Sequence, residues 1–254
     1  MALNPMEQFE VKPVSWAQHP LFHIGHSPIY FTNQAFWMLI VVISLSLFLT
    51  LAVKKGRVVP TRTQSLAELS YDFVANMIDM TSGPAGFRFF PLIFTIFMFI
   101  LFVNILGLLP YSFTVTSHIV VTAALALLVF FTVIVYGLWK NGLRFFKLFV
   151  PSGLPIYILP LVVFIEVLSF LSRPVSHSVR LFANMLAGHI TLKVFGGFVV
   201  MLGGFGFLGW LGAILPLGLT IALTALELLV AFLQAYVFTI LTCIYLNDAV
   251  HAGH

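Results

Sequence analysis

The chain has 254 residues, 61% hydrophobic and only 8% charged, with a formal charge of +4 at neutral pH and a mean hydropathy of +1.09. A soluble domain carries roughly 25% charged residues, so the composition excludes a soluble globular fold and points to a polytopic membrane protein. The basic residues cluster at the ends of apolar runs, which argues against nucleic acid as a partner, and the lone Cys243 rules out an intrachain disulfide.

The first 35 residues contain Glu7 and Glu10 but no basic start followed by an apolar core, so a cleavable signal peptide is not expected. His19, His23 and His26 in this stretch read as surface-loop histidines, without a second cluster to support a metal; neither a metal nor a cofactor is expected. The first apolar run, 36–53, is as long as a bilayer span needs and stops at Lys54, Lys55 and Arg57, with Arg62 beyond. In 64–82, Leu66, Leu69, Phe73, Met77 and Met80 recur at helical spacing, while Glu68, Asp72, Asn76 and Asp79 point largely elsewhere. That pattern predicts an amphipathic helix lying in the membrane interface, ended by Gly83, Pro84 and Gly86.

Two more spans follow at 89–109, preceded by Arg88, and 119–139, followed by Lys140, Arg144 and Lys147. The 110–118 link between them has no Lys or Arg. Positive-inside counting places 54–88 and 140–150 on the cytoplasmic (or matrix) side, and the N-terminal segment and the 110–118 link on the other. Two long apolar stretches, 154–200 and 205–246, then flank a glycine cluster from Gly196 to Gly206. Forty helical residues extend about 60 Å, twice the hydrocarbon thickness, so each stretch is either broken or steeply tilted. The expected fold is an all-α membrane protein, a single polytopic domain over 1–254 with five membrane-embedded helices and an interfacial one.

The chemistry sits in the last two stretches. The charged residues inside apolar runs are Glu166, Arg173, Arg180, Lys193 and Glu227. On a helical wheel Glu166, Arg173, His177, Arg180 and Asn184 fall within about 60° of one another. They form either a wetted face or, for Glu166 and Arg173, a local ion pair that eases burial; Pro174 makes the alignment approximate. A guanidinium stays protonated at every cellular pH, and at mid-membrane it costs roughly 2.5–3.5 kcal/mol on insertion scales. No acid lies one turn from Arg180 on its own helix, so an anion from elsewhere is expected to meet it. His189 points away from the stripe, toward a neighbouring helix. Glu227 and Gln234, seven residues apart, share a face with Thr220, Thr224 and Ala231 nearby. His189 and Glu227 suit either a proton path or a static hydrogen bond. Gln234 lies on that path or bonds across the helix pair, and Lys193 reads as a snorkelling interfacial residue.

The run Arg180-Leu-Phe-Ala-Asn184-Met-Leu-Ala-Gly188-His189 resembles the signature of subunit a of the F-type ATP synthase membrane sector. The tract Asn104-Ile-Leu-Gly107-Leu-Leu-Pro110-Tyr-Ser-Phe-Thr114 is similar to the same family, as are Glu166, fourteen residues before the arginine, and Gln234 near the C-terminus. The resemblance covers essentially the whole chain. It implies a stator for rotary proton transport, with the last two helices forming a strongly tilted hairpin against a c-subunit ring. Two proton half-channels would serve the ring carboxylates, with Arg180 fixed between them. Glu227, His189, Asn184, Gln234, Glu166 and His177 would carry or steer protons. Implied partners are the c-subunit ring, b-type peripheral stalk subunits, other ATP synthase subunits and membrane lipid. The implied location is a bacterial inner (plasma) membrane, with the mitochondrial inner membrane as second choice.

The competing reading is a stand-alone secondary transporter or ion channel, against which stand the absence of an inverted repeat and an arginine without an anion in its own chain. An intramembrane enzyme is disfavoured by the lack of His-Glu-x-x-His or Gly-x-Ser-x-Gly, so no covalent chemistry is expected in this chain. The orientation is testable by single-cysteine labelling in sealed vesicles of known sidedness. Positions 55 and 112 are expected to label from opposite sides, and labelling of both from one side would overturn the five-span topology.

Overall fold

In hydrocarbon, backbone polar groups have no water to bond, so long apolar runs satisfy them internally as helix. A computed structural model describes residues 9–14, 22–24, 27–54, 56, 59–109, 112–150 and 157–251. His19, His26, Lys55, Arg57, Pro110 and Tyr111 lie outside them, as does the side chain of His23. A short antiparallel ribbon, β1 (Phe22–Ile24) with β2 (Ser27–Ile29), precedes the helices. Helices α1 (Asn33–Val53), α2 (Arg62–Ser82), α3 (Phe90–Gly107), α4 (Ile119–Asn141), α5 (Leu159–Gly203) and α6 (Gly206–His251) follow. The protein is an all-α membrane protein, and five helical segments among the described residues are long and apolar enough to cross a bilayer.

Several helix ends lie beyond the apolar runs because side chains cap them. Helix α1 starts at Asn33, ahead of Phe36, where the Thr32 hydroxyl accepts a hydrogen bond from the Ala35 N–H at 3.3 Å. Helix α6 runs on through Asn247 and Asp248 to His251. Its last carbonyls are held from α4: Asn141 Nδ2 donates to the Ala249 carbonyl at 2.6 Å and Lys140 Nζ to that of Val250 at 3.2 Å. Both long C-terminal stretches are continuous helices, of 45 and 46 residues, despite Pro174 and Pro216 inside them. Each is therefore about 68 Å long and cannot stand upright within a hydrocarbon layer of about 30 Å.

Close contacts divide the chain into two compact units. The first comprises Met1–Leu47, Phe99–His118 and Leu181–Gln234. Here α5 and α6 double back through a turn at Gly206, whose φ of +74° is a left-handed conformation that favours glycine. Asn104 of α3 is fully buried. Its Nδ2 donates to the Ala231 carbonyl of α6 at 3.3 Å, and its Oδ1 accepts from the Thr116 hydroxyl at 3.1 Å. Ser112 and Ser117 tie the same loop to the carbonyls of Gly107 and Thr114 at 2.8 and 2.6 Å. The Asn104–Thr114 tract thus fastens the 112–118 loop beside the α5–α6 hairpin.

The second unit comprises Phe48–Met98, Ile119–Arg180 and Ala235–His254. Helix α2 docks through Val74, Met77 and Ile78, with the Phe73 ring 5.5 Å from Phe97 and 5.8 Å from Tyr236. Of the apolar face expected from sequence, Met77 is buried but Leu66, Leu69 and Met80 are exposed. The acidic residues Glu68, Asp72 and Asp79 are exposed as well. The inward line is therefore shifted to Val74–Ile78, and Leu66, Leu69 and Met80 are left outside the packing of this unit. The Thr122 and Ser178 hydroxyls join α4 to α5 at 3.2 Å, and the Ser82 hydroxyl donates to the Cys243 carbonyl of α6 at 3.2 Å.

Between helices in lipid, such polar links are worth about 0.6–2 kcal/mol each. Asn104→Leu removes two and strands the Thr116 hydroxyl, while the Ala231 carbonyl keeps its helical bond. The variant is expected to lose a few kcal/mol of stability, by roughly those link energies plus the stranded hydroxyl. Detergent thermal-shift measurement of the assembled protein checks this, and an unchanged midpoint would remove Asn104 from the scaffold.

Candidate functional site

The five polar residues of the α5 stripe do not share one environment. Arg180 and Asn184, one turn apart, are both exposed, and Arg180 forms no ion pair or hydrogen bond among the described residues. Arg173 is half-buried and fully engaged. Its Nη1 lies 3.0 Å from Asp248 Oδ2 of α6, and its guanidinium sits over the rings of Tyr245 at 4.6 Å and Phe170 at 5.3 Å. The local pairing of Arg173 with Glu166 is therefore not what forms. An acid 75 positions away takes that role, because the antiparallel α6 brings its last turn against α5. Glu166 is half-buried and makes no hydrogen bond or ion pair among the described residues. His177 is turned inward, 4% exposed, with its ring edge-on to Phe238 at 4.7 Å and tilted against Tyr245 at 5.2 Å.

In the first unit, Asn184, Glu227 and Gln234 line one cleft of about 310 Å³ with Gly188 and Thr191. Glu227 packs on the backbone of α5 at Gly188. A Cβ there would collide with the Glu227 Oε1 and come within 3.0 Å of its Cδ, so this approach requires glycine. Both carboxyl oxygens are buried without a hydrogen-bond partner among the described residues. Such a carboxyl needs a donor, and the adjoining cleft is where water can supply one. Gln234 is buried, but makes no hydrogen bond across the helix pair among the described residues. His189 turns away from the stripe as its spacing requires, its Nε2 lying 3.2 Å from the Thr114 hydroxyl of the 112–118 loop. Lys193 is exposed.

Residues 35–247 match the family profile described as "ATP synthase A chain". The chain is 64% identical over 254 residues to the ATP synthase subunit a of Rhodopseudomonas palustris strain TIE-1, covering 100% of both chains. It is 63% identical to that of Nitrobacter hamburgensis over 99% of this chain and 100% of the relative. To that of Bradyrhizobium diazoefficiens it is 62% identical over the full length of both. The chain belongs to the ATP synthase A chain family, subunit a of the F-type ATP synthase. ATP synthesis and proton transport are accordingly its processes, and as a subunit a it is a multi-pass membrane protein.

Two partners in this subunit a were not visible in the sequence reading. Asp248 lies past the last apolar run, on a helix that continues to His251 with Lys140 and Asn141 bonded to its last carbonyls. Thr114, within the Asn104 tract, carried no charge to mark it, although its place in a polar cluster, Ser112-Phe-Thr-Val-Thr-Ser117, was a signal. Gly188→Ala is expected to push the Glu227 carboxyl off α5 and slow proton flow while leaving the helices inserted. Passive proton uptake by vesicles with matched amounts of assembled enzyme measures this, and an unaltered rate would detach Gly188 from the placement of Glu227.

Proposed function

We propose that this chain is the stator of a rotary F-type ATP synthase, providing two proton half-channels and presenting Arg180 to the carboxylates of a c-subunit ring. The observation that carries the reading is the contrast between two arginines of α5. Arg173 has its acid within the chain, whereas Arg180 is exposed on an apolar helix with no anion among the described residues. A ring carboxylate at ~4 Å would supply about 4 kcal/mol at an effective dielectric of 20. That exceeds the roughly 2.5–3.5 kcal/mol insertion cost of the arginine. The pairing favours proton loss from the ring site and stops an ionised site from passing without exchange.

One half-channel runs from the 112–118 loop through His189 and the cleft of Glu227, Asn184 and Gln234. The other lies on the Glu166 and His177 side of Arg180. Each proton crossing 100 mV delivers about 2.3 kcal/mol, which the ring converts to rotation. In this reading the chain works as one polytopic domain in a bacterial inner membrane. Its N-terminal segment and the 110–118 link are extracytoplasmic, and b-type peripheral stalk subunits and the other synthase subunits hold it still.

Arg180→Ala lowers the insertion cost, so the subunit is expected to assemble while ATP synthesis and proton-driven rotation are lost. A passive leak appears because the barrier between the half-channels is gone. Arg180→Lys fails nearly as fully, since an ammonium lacks the fixed planar fork of the guanidinium. Glu227→Gln keeps size and hydrogen bonding but cannot titrate, and slows proton uptake with the complex intact. The measurements are ATP synthesis and proton conductance in vesicles with matched enzyme content. Wild-type synthesis by Arg180→Ala would falsify the central-charge reading, and normal uptake by Glu227→Gln would make that residue structural.

A further inference from the structure

Helix α4 carries Phe131, Val135 and Trp139 at four-residue intervals, so they stand in one row along about 12 Å of its length. All three are exposed. Beside this row the chain enters α3 at Phe89, whose ring meets that of Tyr136 edge-on at 4.5 Å. A groove of about 430 Å³ lies here, lined by Phe89, Phe131, Thr132, Val135, Tyr136 and Trp139. The Thr132 hydroxyl is committed to the Leu128 carbonyl of its own helix at 2.7 Å, so the groove offers mainly apolar and aromatic surface.

The two ends of the groove differ in charge. Beyond Phe131 lie the apolar residues Leu127, Leu128 and Phe130. At the other end Arg88, immediately before Phe89, places its guanidinium carbon 5.8 Å from the centre of the Trp139 ring. Arg88 is exposed and forms no hydrogen bond or ion pair among the described residues. Arg144 and Lys147 follow just past the end of α4, also exposed. The ion pairs among the described residues, Lys12 with Glu10 and Arg173 with Asp248, engage none of these three cations. Trp and Tyr rings settle at the depth of lipid headgroups. Tyr136 and Trp139 therefore set Arg88 at the level of lipid phosphates, and the groove descends from there toward the hydrocarbon. A guanidinium can rest its face on a ring while its edge binds two phosphate oxygens, and basic pockets between membrane helices hold anionic headgroups.

We propose that this groove binds one anionic phospholipid, with its phosphate on Arg88 and one acyl chain laid along Phe89, Phe131 and Val135. Charge selects the lipid. A zwitterionic headgroup would bring its own cation toward Arg88, whereas a headgroup with net negative charge brings none. Shape selects a lipid over a free anion, because the apolar groove continues from the cation and suits a tail. The site lies wholly within the second unit. It does not rest on the proton-translocation reading, since none of its residues is assigned to proton transfer.

Photo-cross-linking in the intact synthase, reconstituted into phosphatidylcholine vesicles, tests the site. Two probes carry the same diazirine-bearing acyl chain and differ only in headgroup, phosphatidylglycerol or phosphatidylcholine. The phosphatidylglycerol probe is expected to label the 128–139 peptide several-fold more than the phosphatidylcholine probe does. The exposed face of α1 around Leu39 and Ile43 is expected to take both equally. Arg88→Gln keeps hydrogen bonding without the charge, and brings phosphatidylglycerol labelling of 128–139 down to the phosphatidylcholine level. Equal labelling by the two probes in the wild type, or an undiminished preference in Arg88→Gln, means bulk lipid only and overturns the proposal. Absence of labelling by either probe means that another synthase chain covers the groove, and overturns it as well. Should Arg88→Gln not assemble, competition in the wild type decides. Unlabelled phosphatidylglycerol is expected to suppress the excess labelling of 128–139, and an excess that does not saturate overturns the site.

Discussion

Two guanidiniums seven residues apart on one apolar helix set the terms for this chain. They share a direction on α5, yet their surroundings are opposite. Arg173 is matched by Asp248, covered by two aromatic rings and drawn into the helix packing. Arg180 is left exposed with no such match. A permanent cation in hydrocarbon is expensive by a few kcal/mol at least, and an acid one turn away would have removed most of that cost at little risk to the fold. The chain supplies an acid from α6 to the arginine that holds the helices together, while the other has none among the described residues. In the proposed mechanism that is the requirement: an arginine satisfied within its own subunit has nothing to offer a passing carboxylate.

The same economy appears among the acids. Asp248 is neutralised, while Glu166 and Glu227 have no ion-pair partner among the described residues. Hydrophobic burial cannot hold helices together against lipid as it does in water, so the scaffold relies on close packing and on small polar links. These are Asn104 with Ala231 and Thr116, Thr122 with Ser178, and Ser82 with Cys243. None of these three sets uses a titratable side chain, although Lys140 holds the end of α6. Of the ionisable residues of α5 and α6, Arg173 and Asp248 pair with each other, His177 packs on Phe238 and Tyr245, and His189 meets Thr114. Arg180, Glu166 and Glu227, by contrast, have no hydrogen bond or ion pair among the described residues.

Most of the architecture was legible in the sequence because the length of an uncharged run is itself the signal for a span. What was not legible was how far each helix extends past its run. Thr32 caps α1 from just before it, and Lys140 and Asn141 hold the end of α6 from more than a hundred positions away. Helical spacing correctly set Glu227 and Gln234 on one face, and both line the same cleft. It could not separate His177 from Arg180, which differ by three positions on α5. Their different exposure is decided by Phe238 and Tyr245 on the other helix. The wheel describes directions from one axis, and burial depends on what stands in each direction.

Glycine at position 188 shows how the family-like motif joins shape to charge. The residue lies between Asn184 and His189 in the arginine run, where it carries no chemistry of its own. Its missing side chain is what lets the Glu227 carboxyl rest on the α5 backbone. The adjacent His189 then points across to Thr114, on the loop that Asn104 fastens. One stretch of ten residues therefore presents a cation, opens a notch for an acid from α6 and sends an imidazole toward a third segment. An amino acid with a Cβ at 188 would keep every titratable group and still displace the acid. The chemistry proposed for this site consequently depends as much on an absent methyl as on the charges that mark it in the sequence.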